Sequence, residues 1–300
     1  MELTGPIELT DHRYGKAENR VVRIWRETAR HEIRDVNVST VLRGDFADAY
    51  AGDQRKVLPT DTQKQTAYAY AKQPGLQTIE DYGLALAGHF VDDIEPVSGA
   101  RIEIDEYAWQ RVLVDGHEHD HTWVRQGPEV RTAAITVAGT GADRRSWVIG
   151  GVKDLTILKS TGSEFADFLS DEFTVLAPTH DRMLATTLVV EWRFAATTGI
   201  AWDEVYAGIR ARLVETFATH HSKALQQTLF EMGKAALQAY PVLAEIRLAA
   251  PNKHHFDYDL ARFGIENNGE VYYAADRPYG LIHATLRRAD APEAGPAWLA

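Results

Sequence analysis

Residues 205–241 predict two consecutive helices, and their sequence is VYAGIRARLVETFATHHSKALQQTLFEMGKAALQAYP. Apolar residues recur every three or four positions from Val205 to Phe217 and again from Leu225 to Tyr240, which is the spacing of one helix face. Pro241 ends the second helix, because proline removes a backbone donor and clashes with the preceding turn. This helix pair is the longest helical signal in the chain, and the segments on both sides of it are strand-like.

Strands are predicted on either side of the helix pair. The segment 184–194 precedes it, and a further strand begins near Leu243. The alternating segments 130–138 and 146–158 predict two earlier strands, and a short helix is expected after Ser163.

The first part of the chain predicts the same order of elements. Residues 20–43 predict a hairpin of two strands, in which Val36 and Val38 alternate with polar residues. The segment 62–72 is typical of a helix. A second helix is expected after Thr78, which with Asp81 forms a capping-box pattern.

A second pair of strands follows these two helices. Residues 100–113 alternate as a strand, and Asp115-Gly116 provides a turn into a strand at 122–125. The sequence therefore predicts an α+β fold of two tandem units, 13–138 and 142–288, which meet near 139–141. The last residues, 289–300, are rich in Ala and Pro and predict a poorly ordered tail.

Composition excludes several classes of function. The 300-residue chain has 45% hydrophobic and 25% charged residues, and no run of about 18 apolar residues that could span a bilayer. A net charge of -11 argues against nucleic acid as a partner, because phosphate binding requires clustered Lys and Arg. The absence of Cys excludes disulfides, thiolate metal sites and cysteine nucleophiles. Residues 1–12 lack the features of a secretory signal, so we expect a cytoplasmic protein.

Four short polar segments stand out from the strand and helix patterns. They are Arg13-Tyr14-Gly15-Lys16, Pro59-Thr60-Asp61, Leu158-Lys159-Ser160-Thr161 and Pro251-Asn252-Lys253-His254. Taken together and in this order, they resemble the signature segments of urate oxidases. The resemblance extends from about Arg13 to Arg288, which is nearly the whole chain.

The resemblance implies a fold and an activity. Urate oxidases have the tunnelling fold, in which each chain carries two modules of antiparallel sheet with helices packed on one face. Four chains assemble into a barrel-like homotetramer, and urate binds at the contact between two subunits. The implied reaction is oxidation of urate by O2 without a cofactor, giving 5-hydroxyisourate and H2O2.

Three residues match the family's proton relay. Lys16 corresponds to the catalytic lysine, Thr60 to the threonine paired with it, and His254 to the third member, whose near-neutral pKa suits proton transfer. Without the resemblance, the same residue types would be interpreted as a solvated lysine, a helix cap and a structural strand histidine.

Further residues match the family's substrate contacts. Arg182 corresponds to the arginine that binds the O2 and N3 edge of urate, and Gln226 to the amide that binds O6 and N1, although Gln227 is adjacent. Phe165 corresponds to the aromatic that stacks on the purine, whereas without the resemblance a Phe near a helix start is more often a core residue.

The remaining contacts are also implied by the resemblance. The backbone amides of Asp61 and Leu225 would face the ring, and Asn252 would hold oxygen or water above its plane. The chain ends in Trp298-Leu299-Ala300 instead of the Ser-Lys-Leu signal of peroxisomal members, which favours a bacterial type.

Two alternatives stay open at this point. His117, His119 and His121 alternate along a predicted strand and could hold Zn or Cu, as in a metal-dependent purine or pterin hydrolase of the same fold. The other interpretation of these histidines is an exposed hairpin without metal, and we expect no metal site. A purine-binding protein that has lost turnover is the second alternative.

Overall fold

The computed structural model describes residues 5–299 and forms a single antiparallel sheet with its helices on one face. The eight strands of the sheet follow the chain order, β1 (Tyr14–Trp25), β2 (Glu32–Gly44), β3 (Val97–Val114), β4 (His117–Ala138), β5 (Arg145–Lys159), β6 (Leu184–Phe194), β7 (Leu243–Asp257) and β8 (Tyr272–Arg287). The α-helices are α1 (Thr60–Tyr70), α2 (Ile79–Asp93), α3 (Trp202–Thr219) and α4 (Leu225–Ala239). None of the helices in the described part of the chain is both long and apolar enough to cross a membrane.

The order strand, strand, helix, helix, strand, strand occurs twice along the chain. One pair of helices lies between β2 and β3, and the other lies between β6 and β7. In each half, one helix packs closely against the sheet at a glycine, where there is no room for a side chain. A Cβ on Gly83 of α2 would lie 2.5 Å from Ile135, and one on Gly233 of α4 would lie 2.8 Å from Leu286. The α+β class predicted from the pattern is confirmed, and the division into units at 13–138 and 142–288 stays a prediction.

A buried ion-pair network joins the two helix pairs. Arg131 of β4 donates to Glu80 in the first turn of α2 at 2.8 Å and to Asp203 in the first turn of α3 at 2.6 Å. Trp202 Nε1 donates to Asp81 at 2.8 Å, so the two helix starts also bond directly. The helix starts of both halves therefore meet over the middle of the sheet.

Several local predictions are confirmed. The hairpin is formed by β1 and β2, and Asp115 and Gly116, both at positive φ, make the turn between β3 and β4. Thr78 caps α2, since its Oγ1 accepts from the backbone N–H of Asp81 at 3.1 Å. The helix pair predicted from 205–241 is α3 and α4.

Two predictions of secondary structure are wrong. The strands expected at 122–125 and 130–138 are parts of one long strand, β4. Among the described residues, no helix lies between Ser163 and the start of β6, and Phe165 is therefore not near a helix start. The carbonyls of Ser163 and Phe165 accept from Arg182 N and Thr179 N, so they do not accept the bonds from four residues later that a helical turn requires.

The tail also differs from the prediction. Ala297 is buried, Arg101 donates to its carbonyl at 2.8 Å, and Arg247 lies 3.6 Å above the ring of Trp298. Arg193, which is 1% exposed, donates to Pro292 O at 2.8 Å. Buried arginines need acceptors, and the tail carbonyls supply them, so residues 289–299 pack on the sheet face without helices. Ala300, the last residue of the predicted tail and of the C-terminal Trp-Leu-Ala, lies outside the described residues.

Candidate active site

The residues singled out from the sequence fall into two groups within the chain. Lys16 on β1 and Thr60-Asp61 at the start of α1 form the first group. The second group lies in the other half and contains Phe165, Arg182, Leu225, Gln226, Asn252 and His254. Six strand spacings of about 4.8 Å separate β1 from β7, roughly 29 Å along the sheet. Among the described residues, no hydrogen bond, ion pair or ring contact joins the two groups.

The first group is organised around Lys16. The backbone N–H of Lys16 donates to Thr40 Oγ1 at 3.3 Å, and a β-bulge follows before Asn19. Thr40 is buried and donates to Gln63 of α1 at 2.7 Å, which links the Lys16 strand to the helix that begins with Thr60. Thr40 and Gln63 were not predicted from the sequence, because a buried polar residue cannot be identified without its partner.

Electrostatics place Lys16 near the start of α1. Asp61 forms an ion pair with Lys64, and this hydrogen bond is the main reason that the pKa of Asp61 is lowered. The positive charge of Lys16 contributes to the same shift of the pKa. Lys16 therefore lies within electrostatic reach of the Thr60-Asp61 turn. Within the described residues, the ammonium of Lys16 makes no ion pair.

Arg182 is the most distinctive residue of the second group. Its guanidinium carbon lies 5.4 Å from the ring centroid of Phe165, and its buried Nε has no hydrogen-bond partner within residues 5–299. Burial lowers the pKa of the guanidinium, and no carboxylate among the described residues pairs with it. A half-buried arginine without an acceptor is costly, so the arrangement favours a site that receives an anionic or carbonyl-rich ligand.

Backbone hydrogen bonds hold Phe165 and Arg182 together. Phe165 and Thr179 exchange two backbone bonds of 2.8 and 2.9 Å, and Arg182 N donates to Ser163 O at 2.8 Å. The Phe165 ring stacks on Phe168 with the centroids 5.0 Å apart. The ring and the guanidinium therefore come from the two ends of the β5–β6 connection, which pair along their backbones.

The start of α4 supplies two more candidates. Leu225 is the first residue of the helix and Gln226 the second, so their N–H groups have no acceptor inside the helix. Gln227 accepts from Lys223 N at 3.0 Å, whereas Gln226 is exposed and makes no side-chain hydrogen bond within the described range. Of the two adjacent glutamines, Gln226 is the one with an available amide.

Asn252 and His254 lie on β7, opposite β6 and β8. Asn252 pairs with Thr186 and Gly280, and the register with β8 shifts between Asn252 and His254. His254 stacks on Phe256 with centroids 5.7 Å apart. Partial burial lowers the pKa of His254, and the positive charge of Arg182 lowers it further, which places the two residues in one electrostatic environment.

The three histidines of the competing metal hypothesis lie on β4. The rings of His119 and His121 are 4.5 Å apart, and that of His121 is 5.8 Å from His31. Residues 5–299 contain no group of three or more His, Cys, Asp or Glu side chains arranged to hold a metal ion. His117, His119 and His121 do not form such a group in the described part of the chain.

Comparison with known proteins identifies a common family. The uricase family model matches residues 12–136 and 148–283. A uricase from Arthrobacter globiformis is 45% identical over 97% of this chain and 94% of its own length. A uricase from Dictyostelium discoideum is 34% identical over 93% of this chain and 97% of its own length.

Solved structures give the same result for the fold. The crystal structure of uricase from Arthrobacter globiformis superposes with a TM-score of 0.92 at 45% identity, covering 98% of this chain and 99% of the other. The uricase structure from Bacillus fastidious, at 21% identity, superposes with a TM-score of 0.80 over 93% of this chain and 94% of the other. The second likeness shows that the fold persists at low identity.

Proposed function

The chain belongs to the uricase family as an enzyme of the bacterial type that oxidises urate, and we propose that it forms 5-hydroxyisourate and H2O2 at sites shared between chains. The observation that carries this proposal is the environment of Arg182. Its guanidinium is partly buried beside Phe165, and its Nε lacks an acceptor among the described residues. The O2 and N3 edge of a flat urate anion supplies the missing acceptors while its face stacks on Phe165.

The remaining residues of the second group complete the purine contacts. Gln226 offers one donor and one acceptor, which suits the O6 and N1 edge of urate. Leu225 presents a backbone N–H at the helix start, and Asn252 holds oxygen or water above the ring. These roles rest on the family resemblance and on the available groups described above.

The first group supplies the proton chemistry. Lys16 and Thr60 remove a second proton from the urate monoanion, and the backbone N–H of Asp61 contacts the ring. The electron-rich dianion then reduces O2, so that a peroxide forms at the ring carbon and leaves as H2O2. Water adds at the same carbon through the relay of Thr60, Lys16 and His254. Urate, O2 and H2O are thus converted to 5-hydroxyisourate and H2O2 with all atoms balanced.

No flavin, haem or metal takes part in this scheme. The electrons come from the substrate itself, and the protein contributes positioning and proton transfer. The expected partners are therefore urate and O2, and we place the enzyme in the cytoplasm.

The separation of the two groups supports a shared site. Roughly 29 Å along the sheet lies between Lys16 and the strand of His254. Both β1 and β8 are edge strands, with one side of each unpaired among the described residues. A homotetramer in which Lys16, Thr60 and Asp61 of one chain face Arg182 of a neighbour satisfies both features.

The decisive experiment follows oxygen uptake and H2O2 release after chelation of all metals. Urate consumption with one H2O2 released for each O2 consumed is the expected result. Urate consumption that stops after metal removal would instead indicate the metal-dependent hydrolase. Urate binding without H2O2 would indicate a binding protein without turnover.

A further inference from the structure

Three separate segments carry the purine contacts of the second group. They are the first part of the β5–β6 connection with Phe165, the last part of the same connection with Arg182, and the start of α4 with Gln226. Ser222 joins two of them, because its N–H donates to Gly162 O at 3.0 Å and its carbonyl accepts from Glu164 N at 2.7 Å. The third segment is attached through the bond from Arg182 N to Ser163 O.

Buried hydroxyls lie at this junction. Ser163, Ser222 and Thr228, which we name the hydroxyl cluster, are each 0% exposed. Thr228 Oγ1 lies 2.7 Å from Ser222 Oγ and 3.2 Å from Ala224 O. Ser163 Oγ has no hydrogen-bond partner among the described residues, and a buried hydroxyl without a partner costs stability, so the polar side chains at this junction point to a positional requirement.

A second contact holds the same loops from the solvent side. The carboxylate of Asp181 accepts from Thr161 Oγ1 at 2.8 Å and from Gly162 N at 3.1 Å. Asp181 directly precedes Arg182, and Thr161 belongs to the Leu-Lys-Ser-Thr segment, for which the proposed reaction has no role. This contact joins the part of the β5–β6 connection that carries Phe165 to the part that carries Arg182, independently of the hydroxyl cluster.

We propose that Thr228 and Asp181 are positioning residues that set the spacing between the Arg182 guanidinium and the Gln226 amide. The inference rests on the proposed function, in which these two groups hold opposite edges of one rigid ring. Thr228 acts through Ser222, and Asp181 acts through Thr161 and Gly162. Because a rigid ligand tolerates little error in spacing, loosening either contact weakens urate binding more than it slows the chemical step.

Thr228→Val tests the buried contact, since valine keeps the shape of threonine and removes the hydroxyl. We expect KM for urate to rise about tenfold while kcat stays within about threefold. Thr228→Ser restores the hydroxyl and is expected to return KM toward the original value. The matched control is Thr136→Val on β4, which removes a buried hydroxyl that accepts from Arg101 at 3.1 Å, outside all three segments, and leaves KM unchanged.

Asp181→Ala tests the exposed contact. It also keeps the proposal testable if Thr228→Val does not fold. KM is expected to rise about tenfold, and adding Thr161→Ala to Asp181→Ala should raise KM no further, because the acceptor of that hydroxyl is already gone. Unchanged KM in both Thr228→Val and Asp181→Ala, or equal losses of kcat and kcat/KM, would overturn the inference. These results are distinguishable from failure of the proposed function, in which the unaltered protein releases no H2O2 from urate.

Discussion

Arg182 has few of the interactions that usually stabilise a half-buried arginine. Its Nε is buried without an acceptor, and the Phe165 ring, 5.4 Å from its guanidinium carbon, is its close aromatic neighbour. Such an arrangement costs folding free energy unless a ligand supplies acceptors. At the scale of single residues, the candidate site is therefore defined by the Arg182 Nε, which has no hydrogen-bond acceptor among the described residues.

Replacing Arg182 by Ala should weaken urate binding. A charge-assisted bidentate contact contributes roughly 1.5–3 kcal/mol, so we expect KM to rise by about 10- to 100-fold. Initial rates of H2O2 release against urate concentration provide the measurement. An unchanged KM would remove Arg182 from the site.

His254 should give the enzyme an acidic limit of activity. Burial and the charge of Arg182 lower its pKa below the ordinary imidazole value of about 6.5, so the neutral form that accepts a proton predominates at pH 7. Activity should be retained at pH 7 and lost as the pH falls through this lowered pKa.

The measurement is kcat at saturating urate as a function of pH. The acidic limb should fall below about pH 6.5, and it should be absent from the profile of His254→Asn. A limb that persists unchanged in this variant would contradict the relay role of His254.

At the scale of elements, the first turn of α2 is capped by Thr78 and also contacts α3 in the other half of the chain. Thr78 accepts from Asp81 N, while the carboxylate of Asp81 accepts from Trp202 Nε1 of α3 at 2.8 Å. The cap therefore orders the turn that contacts the second helix pair.

Removing this cap should lower stability without affecting the chemistry. Thr78→Ala is expected to cost about 1 kcal/mol and to lower Tm by roughly 2 °C, with KM for urate unchanged. The control is Thr216→Ala in α3, whose hydroxyl bonds only Arg212 O of its own helix, so its loss should leave Tm unchanged or slightly raised. Equal melting temperatures for Thr78→Ala and the unaltered protein would show that the cap contributes no stability.

At the scale of the whole molecule, the distance between the two groups makes a shared site testable by complementation. Assayed alone at low urate, Lys16→Met should lose about 100-fold in kcat, and Arg182→Ala should lose about 10- to 100-fold in kcat/KM. In a mixed oligomer, the Lys16 of one variant can face the Arg182 of the other.

Random mixing of the two variants in equal amounts should restore about a quarter of the sites, because each intact site needs one specific chain on either side. The measurement is urate turnover after co-expression or joint refolding. Separately purified variants combined without subunit exchange are the control. No recovery in the exchanged mixture would show that both groups of a site come from one chain.

Much of the fold was predictable because it depends on local patterns. The alternation around Val36 and Val38, the cap at Thr78 and the helix pair in 205–241 are set by neighbouring residues, and each was confirmed. The helix expected after Ser163 is absent because the carbonyls of Ser163 and Phe165 accept from Arg182 and Thr179, which lie farther along the chain. The tail was predicted to be poorly ordered because its acceptor role depends on Arg101 and Arg193, which no local pattern connects with it.

The candidate site divides in the same way. The sequence by itself determined the residue types and the family, since ordered segments such as Arg-Tyr-Gly-Lys and Pro-Asn-Lys-His survive in the linear chain. Only the tertiary structure decided that the buried Nε of Arg182 finds no acceptor in the described part of the chain, that Gln227 is engaged while Gln226 is available, and that β1, the strand of Lys16, lies six strand positions from β7. The physical reason is range: propensity and periodicity act over a few residues, whereas burial, hydrogen-bond partners and distance depend on segments brought together by folding.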